Sequence, residues 1–321
     1  MRKNALITCC FVCALGAFGA FFRWLQNQLA FDTETGMINP SLWNIMVPLV
    51  IAAAAVIFYF IIRKFLVGLT APTEMYATFR GTTFFHPIAA WIIGGIVAIG
   101  GIATLFGAGD DVQPGALTFI GIMMIIAGIS FPSICTAAKR HLAPGLVSVF
   151  SAIPIIVFTL WLIACYVRNA SIPNVWKYGV EIITVCVIIV AFFYNAGVAF
   201  GKPEPVKALY FSMLGAFLCL LSLADSRIFG LQMIVFGTAL MLLMYCWMIV
   251  SNMRKQEVSA EPIEEKAAEP EEKAEPVKEN DTEPVIPAGE KVVTDEPTIQ
   301  APDRGADAVD SIINEVKNEN E

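Results

Sequence analysis

Charge is scarce in this sequence: 15% of its 321 residues are Asp, Glu, Lys or Arg, against about 25% in an ordinary soluble domain. Histidine is scarcer still, with His86 and His141 the only two. None of these five residue types falls in the middle of a long apolar run. That absence excludes chemistry. A retinal-type pigment needs a Schiff-base Lys deep in a helix, and a proton-coupled pump usually needs a mid-membrane carboxylate. A two-haem membrane cytochrome needs four His, and both of the His present lie at the ends of apolar runs, where an interfacial His is the ordinary outcome. HExxH, Gly-x-Ser-x-Gly, P-loop and dinucleotide-binding patterns are also missing. The expectation is a non-enzymatic chain with no catalytic residue, no metal and no cofactor.

What is present is apolar sequence, 57% of the chain, with a mean hydropathy of +0.67. A soluble core does not need that much, which argues against a soluble enzyme, a secreted disulfide scaffold and a nucleic-acid binder. Charge divides the chain in two. Residues 1–255 hold 15 Lys+Arg and 8 Asp+Glu, a net +7, whereas residues 256–321 hold 6 and 20, a net −14. The spacing predicts an all-α, polytopic transmembrane helical bundle over residues 1–250, with a disordered acidic Pro/Glu-rich cytoplasmic tail over 251–321.

A bilayer core about 30 Å thick takes about 20 apolar residues per helix, because every backbone amide must be bonded within the span. Eight stretches qualify: 5–22, 45–62, 87–106, 116–135, 146–167, 180–200, 208–224 and 228–250. Only Asp225, Ser226 and Arg227 separate the last two, so the alternatives are a tight hairpin, which the combined length favours, or one long kinked element. With the N-terminus inside, the inner segments hold Arg2, Lys3, Arg63, Lys64, Arg80, Lys139, Arg140, Lys202, Lys207, Arg254 and Lys255. The outer ones hold Arg23, Arg168, Lys177 and Arg227. Basic residues are retained in the cytoplasm during insertion. The expectation is therefore a multi-pass plasma-membrane protein with both termini cytoplasmic. Arg2 and Lys3 ahead of an apolar run also suit a cleavable signal peptide. Phe21 and Phe22 extend that run past the usual cleavage region, so an uncleaved anchor is expected.

The tail repeats Glu-Pro at 261, 269, 275 and 283. Such a composition cannot bury enough apolar surface to offset its ordering entropy. For the 66 residues from 256 to 321, a flexible chain reaches roughly 45 Å. Near its end, Val309, Ile312, Ile313 and Val316 fall at near-helical spacing, which suggests a short helix over 306–317 that docks into a cytosolic or membrane protein partner. A transiently helical end with no partner is the plainer alternative.

Polar groups at membrane depth are few. Pro132 with Ser130, and Pro154 with Ser151, interrupt backbone hydrogen bonding in the fourth and fifth spans, and Asn195 adds an amide in the sixth. Carbonyls freed by Pro and nearby hydroxyls are able to coordinate a polar solute, which makes these five residues solute-site candidates; a structural kink is the alternative. Glu181, Lys207 and Asp225 lie at span ends and are expected to reach the interface by snorkelling. Gly107-Ala108-Gly109-Asp110 matches the Gly-x-Gly-Asp pattern of intramembrane aspartyl proteases over four residues, but a second Asp within a span is missing. All eight Cys lie in or at the ends of spans, and the Cys10/Cys13 pair has no partner pair to complete a zinc site. Ala90, Gly94 and Ala98 with Gly95, Gly100 and Gly101 give the third span a small-residue surface suited to internal packing or to a dimer face. Two functions fit: a membrane scaffold or accessory subunit with a partner-recruiting tail, or a carrier for an uncharged or weakly polar solute.

Overall fold

A computed structural model describes residues 2–31, 42–65, 69–70, 78, 85–107, 114–140, 144–169 and 175–255. The tail beyond residue 255, with Val309, Ile312, Ile313 and Val316, lies outside the described residues, as do Asp110 and His141. Eight helices account for nearly all of what is described: α1 (Arg2–Leu29), α2 (Trp43–Phe65), α3 (Phe85–Gly107), α4 (Pro114–Arg140), α5 (Pro144–Asn169), α6 (Val175–Gly197), α7 (Pro205–Ser222) and α8 (Phe229–Asn252). Each is long and apolar enough to cross a bilayer. The two short strands are β1 (Leu69–Thr70) and β2 (Arg254–Lys255), which pair antiparallel with Leu69 opposite Lys255.

Helix ends follow local chemistry. Pro114, Pro144 and Pro205 open α4, α5 and α7, where a residue without an N–H leaves no donor unsatisfied. Between α6 and α7 the chain reverses through Gly201 at φ 71°, a left-handed conformation that suits glycine, and the Lys202 amide bonds back to the Gly197 carbonyl at 2.8 Å. The stretch after α7 tightens into three-residue turns, with Leu223, Ala224 and Asp225 amides donating to Leu220, Leu221 and Ser222 carbonyls. Helical bonding then stops until α8. The 208–250 stretch is therefore a hairpin of two helices.

α7 and α8 form the centre of the bundle, with 67% of their spans buried, whereas α1 and α2 are 22% buried and lie at its edge. α8 packs against α1, α3 and α7, and α7 against α1, α2 and α6; α4 and α5 close the path from α3 round to α6. Glycine permits the closest of these approaches. A Cβ on Gly101 would come within 2.7 Å of the Gly121 carbonyl on α4, and one on Gly100 within 3.0 Å of the Gly230 carbonyl on α8. The small-residue surface of the third span thus serves internal packing against two neighbours. Beside it runs an aromatic column: Phe131, Phe158 and Phe192 of α4, α5 and α6 lie 5.1–6.4 Å apart centroid to centroid, and Tyr245 of α8 meets Phe192 edge-on at 6.1 Å.

Candidate functional site: an ionic cluster and two cavities

At the hairpin end of the bundle, four charged side chains meet in the protein interior. Arg23 projects from α1, which continues helical through it to Leu29 rather than ending at residue 22. Its Nε donates to Asp225 Oδ1 at 2.6 Å and its Nη1 to Gln26 Oε1 at 2.6 Å. Asn27, one helical turn on, donates to the Ala224 carbonyl and to Asp225 Oδ1. Asp225 Oδ2 accepts from Arg227 Nη2 at 3.1 Å, and Arg227 Nε lies 3.7 Å from Glu181 Oε2 on α6. The other Glu181 oxygen accepts from the Trp161 indole N–H of α5 at 3.1 Å. Gln232 of α8 donates to the Asp225 carbonyl.

The side chains of Arg23, Arg227, Glu181 and Asp225 are 1%, 5%, 7% and 11% exposed. Snorkelling, expected for Glu181 and Asp225, is therefore replaced by mutual burial; Lys207 does stay exposed, paired with Glu204. The physical reason is balance. Two guanidinium groups and two carboxylates cancel, and a bond accepted by Gln26 with bonds donated by Asn27 and Trp161 satisfies remaining valences, which is the condition under which buried charge is tolerated. In sequence each residue reads as an isolated boundary charge. The available signal was that four residues of both signs, from three separate segments, all fall at one end when the spans alternate in direction.

Among the described residues, two cavities flank the bundle. The first, about 450 Å³, lies at the hairpin end between residues 47–55 of α2 and 179–183 of α6, with Arg23 and Gln26 at its polar end. The second, about 340 Å³, lies where the start of α1, the start of α3 and the end of α8 meet and is lined by Cys9, His86, Ile93, Met244 and Trp247 among others. His86 Nδ1 is buried there without a hydrogen-bond partner.

The five solute-site candidates line neither cavity. Ser130 donates to the Ala127 carbonyl and Ser151 to the Ser148 carbonyl, both within their own helices. Pro132 and Pro154 are buried inside α4 and α5, with the Pro132 ring packed near Gly94. Asn195 is fully buried and donates to the Ala191 carbonyl and to Ser212 Oγ of α7, at 2.7 and 2.8 Å. Its Oδ1 has no partner. Asp225, the second carboxylate that a protease dyad would require, is held between two arginines. All eight cysteines are free thiols, with Cys10 and Cys13 exposed on the surface of α1. Among the described residues no three His, Cys, Asp or Glu side chains gather into a metal-sized group.

Comparison with protein families, with curated proteins and with solved structures finds no match. The class therefore rests on the architecture itself, and eight bilayer-length apolar helices make this a multi-pass membrane protein.

Proposed function

We propose that the protein is a membrane scaffold or accessory subunit, with residues 1–250 as the anchor and the acidic tail as the recruiting segment. The observation that carries this reading is the internal use of polar groups. The hydroxyls of Ser130 and Ser151 bond to their own helices, and the charges at the hairpin end neutralise one another. A carrier instead needs polar groups turned toward a path through the membrane. The basic bias of the inner segments supports a plasma-membrane placement with both termini in the cytoplasm. Chemical crosslinking in intact membranes, followed by purification in mild detergent, tests the role. A defined partner that is lost on deletion of 256–321 is expected; a partner-free monomer under both conditions refutes it.

One observation favours the carrier as a second reading. Asn195 Oδ1 is a buried acceptor without a donor, and an unmet acceptor costs about 1–3 kcal/mol, so a solute donor there would be welcome. Proteoliposome uptake separates the two readings. Flux that survives tail deletion and is lost in Pro154→Ala with Asn195→Ala supports the carrier, whereas no flux across a panel of neutral solutes supports the scaffold.

A further inference from the structure

The cavity beside Arg23 has the dimensions of a ligand site, about 450 Å³ in a range of about 300–1,000 Å³ for such pockets. Its composition is asymmetric. The walls given by α2 and α6 are apolar, while Arg23 and Gln26, each 1% exposed, form the polar end. Pro48, Ala52 and Ile183 are exposed along its rim, so it opens sideways between two helices toward the surroundings of the bundle rather than along the bundle axis. A void of this size forfeits dispersion contacts in proportion to its volume. Water does not fill it well, because an ordered water needs two to four polar partners and the walls offer them only at one end. The matching occupant is long, apolar and polar at a single terminus.

Charge narrows the head group. Arg23 already faces Asp225, and the cluster as a whole holds two positive and two negative groups. A second full anion would be opposed by those carboxylates, whereas an uncharged carbonyl oxygen accepts from guanidinium or amide N–H donors without upsetting the balance. Arg23 and Gln26 also stand near the end of α1, which closes at Leu29, so a chain headed there runs from the span's end toward its middle. We infer that this cavity binds an acyl chain headed by a carbonyl oxygen, with Arg23 and Gln26 meeting the oxygen and Val47, Ile51, Ala55 and Val180 enclosing the first part of the chain. A glycerolipid ester and a protonated fatty acid share that chemistry.

Photocrosslinking of the full-length protein in phosphatidylcholine vesicles tests this. One arm carries a diazirine-bearing fatty acid and the other a phosphatidylcholine with the same diazirine on its acyl chain. Residue-level mapping should place adducts on the cavity-lining Val47, Ile51, Ala55 and Val180 at least about fivefold above those on exposed Ile92 and Ile99 of α3, as enclosure by pocket walls demands. Ala52→Trp and Ile183→Trp, both rim positions able to accept a large apolar side chain, should each lower the cavity adducts by a similar factor and leave α3 labelling unchanged. The arm that labels identifies the source of the chain. Labelling no greater at the cavity than on α3 in both arms, or cavity labelling unmoved by the variant that retains the wild-type melting temperature, overturns the inference.

Discussion

Arg23 and Asp225 are 202 positions apart in the chain and 2.6 Å apart in the fold, and removing either should be costly because the survivor stays buried. Asp225→Ala leaves two guanidinium groups facing a single carboxylate; loss of about 3–5 kcal/mol is expected, the range for breaking a buried pair from one side. Arg23→Met with Asp225→Leu should recover most of it, since the Arg227 and Glu181 pair remains and apolar groups replace the other two. Thermal unfolding in a fixed detergent gives the comparison, and a double variant as unstable as Asp225→Ala would contradict it. Trp161→Phe keeps the ring stacked on Phe158 but removes the indole N–H from Glu181. About 1.5–3 kcal/mol should be lost, as for other hydrogen bonds to charged groups. At this scale the sequence was half legible. The scarcity of mid-span charge was plain from hydropathy, but whether Glu181 snorkels or pairs depends on which helices are neighbours, and that information is not local. Asn195 was legible as a polar residue at membrane depth; its partner Ser212, on a different span, was not.

At the scale of elements, the eight spans could be read from the chain because lipid makes length and apolarity sufficient conditions for a helix. Their ends were less legible: α1 runs seven residues past residue 22, to Leu29, because Arg23 is neutralised by Asp225 instead of being released to water. Glycine roles were also hidden, since Gly94 and Gly95 look alike in sequence and behave differently in the fold. A side chain at Gly128 would meet the Gly94 carbonyl at 2.6 Å and the Ala98 amide at 2.8 Å, whereas Gly95 has nothing within 4 Å of its missing Cβ. Gly128→Leu should force α3 and α4 apart and lose the folded monodisperse species on size-exclusion chromatography. Gly95→Ala should be stabilising by about 0.5–1 kcal/mol, the helix-interior gain over glycine. If both variants elute and melt as wild type, the tight α3–α4 contact is wrong.

For the whole molecule, alternation of eight spans puts the α7–α8 hairpin at the end opposite the start of α1 and the end of α8, and the bias of basic residues toward the latter end leads us to expect it to face the cytoplasm. The two ends also differ in kind. One is closed by a neutral ionic cluster linking α1, α5, α6 and the hairpin, and the other carries the exposed Lys207 and Glu204 pair and the start of the acidic tail. Burial of the cluster fastens the peripheral α1 to the two central helices, so the anchor is expected to hold together without its tail. Ser226 is exposed at the hairpin tip and suits a topological reporter. In a background with the native thiols replaced by Ala or Ser, Ser226→Cys should react with a membrane-impermeant maleimide on intact cells, whereas a Cys at Ser259 should react only after permeabilisation. Reaction of the Ser259 site on intact cells would invert the molecule, and a cytoplasmic recruiting tail could not survive that result. Truncation at residue 255 is expected to shift the melting temperature little, because the eight helices already supply an extensive buried core among the described residues.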